Sequence, residues 1–319
     1  MIRPNVQNLA ESFFTKFETR ARGREKDAFI ARVKEGFREI GYTDEEMMIQ
    51  KSAIGGKNLV IGAPDAEVLF TAHYDTPMRN GWLAMPFVKT LGMGLSSLLG
   101  ALILILLMSP GILQNPFDVD FANRAVLSIL SPVLFIAVVV MVFFIKNPHN
   151  HNDNTSGCIG VYNVATIVAE DPELRGKCAF VLFDREELGL LGSSAFAKWR
   201  GKQYPQIGKS RVINLDCIGS GDYLVLASKN EAEAVEERVA MAEHFQADGF
   251  EILQKNSNLF GYLSDHAHFS KGVMLAFLKR SRMGGFYIPN IHTGKDTVCD
   301  LAQIARLSEA VVKYVREAI

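Results

Sequence analysis

Five short stretches of this chain carry side chains that bind metals or move protons. They are His73-Tyr74-Asp75, Asp153-Asn154, Glu186-Glu187, Asp216 and His292, in that order. Imidazole nitrogen and carboxylate oxygen are ordinary ligands of zinc, and a catalytic zinc keeps one position open for water. Two histidines and three carboxylates make five ligands for a pair of divalent cations, with one carboxylate left as a general base. Two metals about 3.5–4 Å apart need a short bidentate bridge, which an aspartate supplies. Each stretch alone has a plainer use. His73 and Asp75 suit a strand end and a turn, Asp153-Asn154 suits a helix cap, and Glu186-Glu187 suits a helix start. Asp216 suits a turn, and His292 a surface loop.

Residues so far apart in sequence meet only if a sheet gathers its strand ends at one edge. Apolar runs precede most of the motifs. Residues 47–49, 58–61 and 68–72 read as strands with Gly55-Gly56 and Ala63-Pro64-Asp65 as turns between them. Residues 178–183 form an unbroken apolar run, as in a strand buried on both faces. Residues 212–215, 223–226 and 273–278 read the same way. Helical spacing marks residues 29–40, 155–169, 188–199, 231–245 and the C-terminal stretch from Leu301 to Val315. Strands alternating with helices predict an α/β fold. Its central sheet is mixed and mostly parallel, with helices on both faces.

Composition narrows the function. A net charge of −1 provides no field for nucleic acid. The four cysteines (Cys158, Cys178, Cys217, Cys299) show no paired spacing and read as reduced core thiols. The first residues lack a long apolar stretch, so a cleaved signal peptide is not expected.

Between Asp75 and Asp153 lie two uncharged apolar stretches, one between Lys89 and Asp118 and one between Arg124 and Lys146. About 20 residues of helix span the hydrocarbon core of a bilayer. The expectation is a two-helix transmembrane hairpin over residues 89–146, with helices at 91–110 and 125–145. The alternative is a buried hairpin or lid, but neither stretch keeps a polar face. Residues 1–88 and 147–319 then form two parts of one catalytic domain, on one side of a cell membrane. Arg79, Lys89 and Lys146 flank the hairpin, and that bias favours the cytoplasmic side. Membrane lipid is an expected partner.

The motifs in their context resemble the co-catalytic zinc aminopeptidases of peptidase family M28. The matching text is AHYDT at 72–76, NDNTSG at 152–157, DREELGLLGS at 184–193, NLDCIG at 214–219, SDHAHFSKG at 264–272 and NIHTGKDT at 290–297. The resemblance covers the chain outside the apolar insert, which is its one departure from the family pattern. It implies two zinc ions, with other divalent metals able to take the same ligands. It implies that His73 and Asp216 bind one ion, Glu187 and His292 the other, and that Asp153 bridges them. Asp75 would hydrogen-bond the far nitrogen of His73. Glu186 would be the general base for a metal-bridging water that attacks a peptide carbonyl. Asp265 and His266 match a DH pair with a packing or outer-sphere role. Tyr287 is either an oxyanion donor or a surface aromatic. Arg280 and Arg282 either meet a substrate carboxylate or face solvent.

The function this implies is a membrane-anchored zinc aminopeptidase acting on peptides. A metallo-carboxypeptidase or dipeptidase of the same family is the nearest alternative, followed by a single-zinc cyclase. A non-catalytic peptidase-like adaptor is disfavoured because no ligand or base is missing. A transporter is disfavoured because the apolar stretches lack charged midplane residues.

Overall fold

The computed structural model describes residues 2–52, 55–78, 85–108, 144–205, 210–258 and 261–319, with single positions between 126 and 140. Two helices open the chain: α1 (Pro4–Lys16) and α2 (Gly23–Glu39). Val6, Leu9, Ala10 and Phe13 give α1 one buried stripe at helical spacing. The strands β1 (Met47–Lys51), β2 (Lys57–Ile61) and β3 (Val68–His73) follow. Two helices belong to the apolar insert: α3 (Met85–Leu91) and α4 (Met93–Met108). Then come α5 (Gly157–Val168), α6 (Pro172–Lys177), β4 (Cys178–Phe183) and α7 (Leu191–Gln203). The last elements are β5 (Arg211–Leu215), β6 (Tyr223–Ser228), α8 (Ala232–Ala247), β7 (Ile252–Asn256), β8 (Lys271–Arg280), β9 (Phe286–Tyr287) and α9 (Leu301–Ala318).

The strands form one sheet in the order β1-β2-β4-β3-β5-β8-β6-β7, with β9 paired to β8. β4, β3, β5 and β8 run parallel at the centre, and β6 and β7 are parallel to each other at one edge. The pairs β1–β2, β2–β4, β6–β8 and β8–β9 are antiparallel. The mixed, mostly parallel sheet expected from the sequence is therefore present.

Alternation along β3 divides the core between two faces. Val68, Phe70 and Ala72 pack into the larger cluster with α1, α2, α5 and α9, whereas Leu69 packs with Val181, Val212 and Phe196 on the other face. Over β6 and β8, Met274, Ala276 and Leu278 on that second face meet Tyr262, Phe286 and Ile288.

The apolar insert leaves and re-enters the domain at one place. Met78 and Lys146 pair as an antiparallel bridge, and Lys146 forms an ion pair with Glu25. Lys89 and Thr90 accept backbone bonds from Arg282 and Met283 at 2.9 Å. Gly92, with φ +78°, ends α3 and lets the chain pass Gly285 closely. A Cβ at Gly92 would sit 2.9 Å from the Gly285 Cα. That break corrects the single helix expected at 91–110. α4 has 16 residues, a length of about 24 Å. No helix among the described residues is long and apolar enough to cross a membrane. Much of the helix expected at 125–145, together with Arg79, Asp118, Asp120 and Arg124, lies outside the described residues. Leu95, Leu98, Leu102, Ile129, Ile136 and Phe144 are exposed.

Candidate active site

His73 is the last residue of β3 and is buried. Its Nδ1 lies 3.1 Å from the backbone oxygen of Asp75. A carbonyl only accepts, so Nδ1 carries the hydrogen and Nε2 presents a lone pair to the site. The Asp75 carboxylate lies 3.6 Å from Nδ1, too far for a hydrogen bond. It accepts instead from the backbone nitrogens of Glu186 and Glu187, at 3.1 and 3.3 Å. The backbone of Asp75 thus does the job expected of its side chain, and the side chain aims the glutamate turn.

That turn is why adjacent glutamates can point the same way. After β4 the chain does not enter a helix at Leu188. Arg185 and Leu190 take left-handed conformations, with φ 60° and 61°, and Gly189 has φ 90°. Three backbone bonds of 2.8–3.0 Å close the loop, and α7 starts only at Leu191. Gly192 follows where a Cβ would lie 1.9 Å from the Asp184 carbonyl.

Asp153 lies in a wide turn, His151–Ser156, between the insert and α5. Asn154 fastens this turn to the end of β5. Its Nδ2 donates to Leu215 O at 3.0 Å, and its Oδ1 accepts from Gly157 N and Cys217 N at 2.9 and 3.2 Å. Asp296 accepts from the backbone nitrogens of Asn152 and Asp153 at 3.1 and 3.0 Å. The buried Arg20 clamps the same region, donating to Tyr74 O at 2.5 Å and to Thr155 Oγ1 at 2.9 Å.

Asp153 presents one carboxylate oxygen to each side. Its Oδ1 is 3.4 Å from His73 Nε2, and its Oδ2 is 3.0 Å from His292 Nε2. Asp216 Oδ1 lies 3.8 Å from His73 Nε2, and Glu187 Oε2 lies 3.4 Å from His292 Nε2. Three groups able to hold a metal meet here. Two triads share Asp153, His73–Asp153–Asp216 and Asp153–Glu187–His292, and His73 also groups with Glu186 and Glu187. Glu186 Oε2 stands 3.9 Å from His73 Nε2. Asp216 is itself held by a polar chain: Ser264 Oγ donates to its Oδ2 at 2.6 Å, and Asn214 Nδ2 donates to Ser264 at 2.9 Å.

The electrostatics are those of a dense acidic pocket. Burial, then the charges of Glu187, Asp265 and Asp216, push the Glu186 carboxyl well above the usual range, against the pull of His73. Burial also raises Glu187. Burial opposes a charge on His73, but Glu186, Asp153, Asp216 and Asp75 overcome it and hold the imidazole well above its usual value. His292 behaves in the same way beside Glu187 and Asp153. So many anions around two imidazoles call for positive charge. Glu187 Oε1 is buried without a hydrogen-bond partner among the described residues. Donor set, shared aspartate and orphaned oxygen all fit bound zinc.

A cavity of about 190 Å³ opens on this cluster. Its apolar wall includes Leu263, Met274, Ala276, Leu278 and Ile291. Met93, at the start of α4, and Tyr262 complete it. Tyr262 carries no signal in the sequence beyond its nearness to the DH pair, and Ser264, which opens the quoted stretch 264–272, is assigned no role there. Tyr262 enters the wall through a left-handed turn, φ 59°.

Tyr287 does not line the cavity. It is buried in β9 opposite Lys279, and alternation along the chain turns its neighbour Ile288 to the site instead. Its burial corrects the alternative of a surface aromatic. Asp265 and His266 are fully buried and join neither triad. Burial pushes the Asp265 carboxyl up to about 7 and the His266 imidazole down to about 3. Arg280 and Arg282 are exposed.

The family model for peptidase family M28 matches residues 147–315, which hold Asp153, Glu186, Glu187, Asp216 and His292. The chain belongs to peptidase family M28. Family M28 supports the reading of a zinc metallopeptidase, and His73, upstream of the matched stretch, completes the cluster in space. No curated protein sequence matches the chain. Among solved structures, the LapA aminopeptidase of Legionella pneumophila is similar at 14% identity and a TM-score of 0.63, over 98% of this chain and 71% of that one. A glutaminyl cyclase of Porphyromonas gingivalis is similar at 17% identity and 0.60, over 98% and 96%. A leucine aminopeptidase precursor of Bacteroides thetaiotaomicron is similar at 15% and 0.58, over 98% and 94%. At these identities the likeness is one of fold. It shows that the sheet and its flanking helices are shared with this M28 peptidase despite the apolar insert.

Proposed function

We propose that this M28 peptidase is a two-zinc aminopeptidase that removes apolar N-terminal residues from peptides and is held at a membrane by its insert. The observation that carries the reading is the split carboxylate of Asp153, one oxygen toward each histidine. His73 and Asp216 would hold one zinc, Glu187 and His292 the other, with Asp153 between them. Bound there, the ions would supply Lewis-acid polarisation of a peptide carbonyl and acidify a water molecule.

The remaining work belongs to the chain. Glu186, beside His73 with its Oε2 toward the cluster, takes a proton from the attacking water at Oε2 and returns it to the leaving amine. Asp75 holds the Glu186 and Glu187 backbone so that the two side chains keep separate tasks. The wall of Leu263, Met274, Ala276 and Leu278 receives an apolar side chain. The acidic cluster attracts a free α-amine.

The insert supports attachment to a membrane. Its exposed leucines, isoleucines and phenylalanine form an apolar surface of the kind that marks lipid or protein contact. Lys89 and Lys146 at its base favour a catalytic domain on the cytoplasmic face.

The test is exopeptidase polarity. Leucyl peptides with a free amine should be cleaved from that end, and N-acetylation should block cleavage. Release of C-terminal residues from acetylated peptides would replace the reading with a carboxypeptidase. Cyclisation of N-terminal glutamine without hydrolysis would replace it with a cyclase, the activity named for one of the similar folds.

A further inference from the structure

A second group of metal-binding side chains lies outside the catalytic cluster. Glu18, in the link between α1 and α2, faces His149 and His151, which precede the Asp153 turn. Glu18 Oε1 lies 3.0 Å from His149 Nδ1 and 2.9 Å from His151 Nε2. One ligand atom from each of the three lies within 4.8 Å of the others. Bonds of about 2.0–2.1 Å to a tetrahedral zinc place neighbouring ligand atoms about 3.3 Å apart, close to the spacing found here.

The other nitrogen of His151 is fixed by the backbone: Nδ1 lies 3.1 Å from the carbonyl oxygen of Thr297. That oxygen only accepts, so Nδ1 carries a hydrogen and Nε2 is the ring atom left facing Glu18 Oε1, at 2.9 Å. Positive charge must lie between Nε2 and the carboxylate, as a second proton on the ring or as a bound cation that also draws in His149. An outer N–H held by a backbone carbonyl is also how metal-binding histidines are oriented. The surroundings are built to keep this geometry. Phe14 packs on the His151 ring with centroids 4.5 Å apart. Asn150 Nδ2 donates to the Glu18 backbone oxygen at 2.9 Å, fastening the two segments together. His149 keeps 39% of its side chain exposed, which leaves an entry path and room for a water ligand.

We propose that Glu18, His149 and His151 form a third divalent-cation site, with a ligand set suited to zinc and a structural role. It ties together the N-terminal helices, the segment leading to Asp153, and the loop around Thr297 that follows His292. Asp296 in that same loop accepts from the Asp153 backbone. A cation here therefore steadies the two pieces of chain that carry Asp153 and His292. The inference rests on its own geometry and not on the assignment of the catalytic ligands.

The test counts zinc in the purified full chain. Wild type, His149→Gln and Glu18→Gln are stripped with chelator, reloaded with excess zinc, desalted, and measured for metal by mass spectrometry. Each variant should hold one zinc fewer than wild type, whatever number the catalytic centre holds. Zinc should also raise the melting temperature of the stripped wild type more than that of His149→Gln. His149 is partly exposed, so that variant decides the matter even if Glu18→Gln fails to fold. Equal zinc counts in wild type and His149→Gln would overturn the proposal and leave a hydrogen-bonded triad only.

Discussion

The chemistry of each site residue is set by the atom that holds it in place. Backbone oxygen fixes the tautomer of His73, the Asp75 carboxylate orients two glutamates, and Ser264 orients Asp216. Ser264→Ala should leave the fold intact and weaken zinc binding by about 10–100-fold, the usual effect of losing an outer-sphere partner. Competition with a graded chelator measures it. An unchanged affinity would mean that Asp216 is oriented by something else. His266 gives a pH signature. Ser257 Oγ lies 2.6 Å from its Nε2, and burial holds its pKa near 3 in the folded chain, below its ordinary 6.5. The unfolded chain therefore gains a proton first on acidification. Stability from this residue is complete above about pH 6.5 and is lost as pH falls toward 3. The slope is about 1.4 kcal/mol per pH unit. Denaturant titrations at several pH values should show it, and His266→Gln should flatten it. At this scale the sequence was a good guide. The two triads draw only on the five quoted motifs. Tyr262 was not legible, because a cavity wall is assembled by a loop whose path no local pattern encodes; Ser264 lay inside a quoted stretch, but nothing local in it assigned the hydrogen bond to Asp216.

At the scale of elements, the strands were legible because their apolar runs are buried on both faces. β4 is buried at every position. β7 was not read as a strand, since Ile252–Asn256 lies at the sheet edge, half-exposed and polar toward its end. The helical stripe of Val6, Leu9, Ala10 and Phe13 is present in the sequence, although only residues 29–40 were read as helical near the N-terminus. The start of α7 shifts from 188 to Leu191 because the turn through Gly189 and Leu190 comes first. Close approach between elements explains glycines that motif reading leaves unexplained. At Gly157 a Cβ would meet the Leu215 carbonyl at 2.2 Å. Gly157→Ala should destabilise the fold by about 1–3 kcal/mol, the usual cost of overpacking. Because it also shifts the Asp153 turn against β5, turnover should fall further than stability alone explains. Urea unfolding and steady-state kinetics on one preparation separate the two effects. Full activity with full stability would show that α5 and β5 have room to part.

For the whole molecule, the insert is the element whose expected form, two membrane-spanning helices, finds no support: no helix among the described residues is long and apolar enough to cross a membrane. It does leave after β3 and return before Asp153, on the side of the strand ends. Its first helix is broken at Gly92, and Met93 reaches the catalytic cavity. A hairpin that only tethers would not supply a wall residue. Replacing residues 89–146 with a short polar linker should release the protein from the membrane fraction. It should also raise KM for apolar peptides several-fold more than for alanyl peptides. Unchanged kinetics on both would make the insert a tether alone. The central claim is the division of labour around Asp153, and the most direct measurement is zinc content with turnover in two single variants. Glu186→Gln should keep the zinc content of wild type while turnover falls by about 10²–10⁴-fold or more, because the base moves a proton and holds no metal. Glu187→Gln should lose zinc and activity together. Near-normal turnover in Glu186→Gln, or zinc lost from Glu186→Gln and kept by Glu187→Gln, would contradict the account.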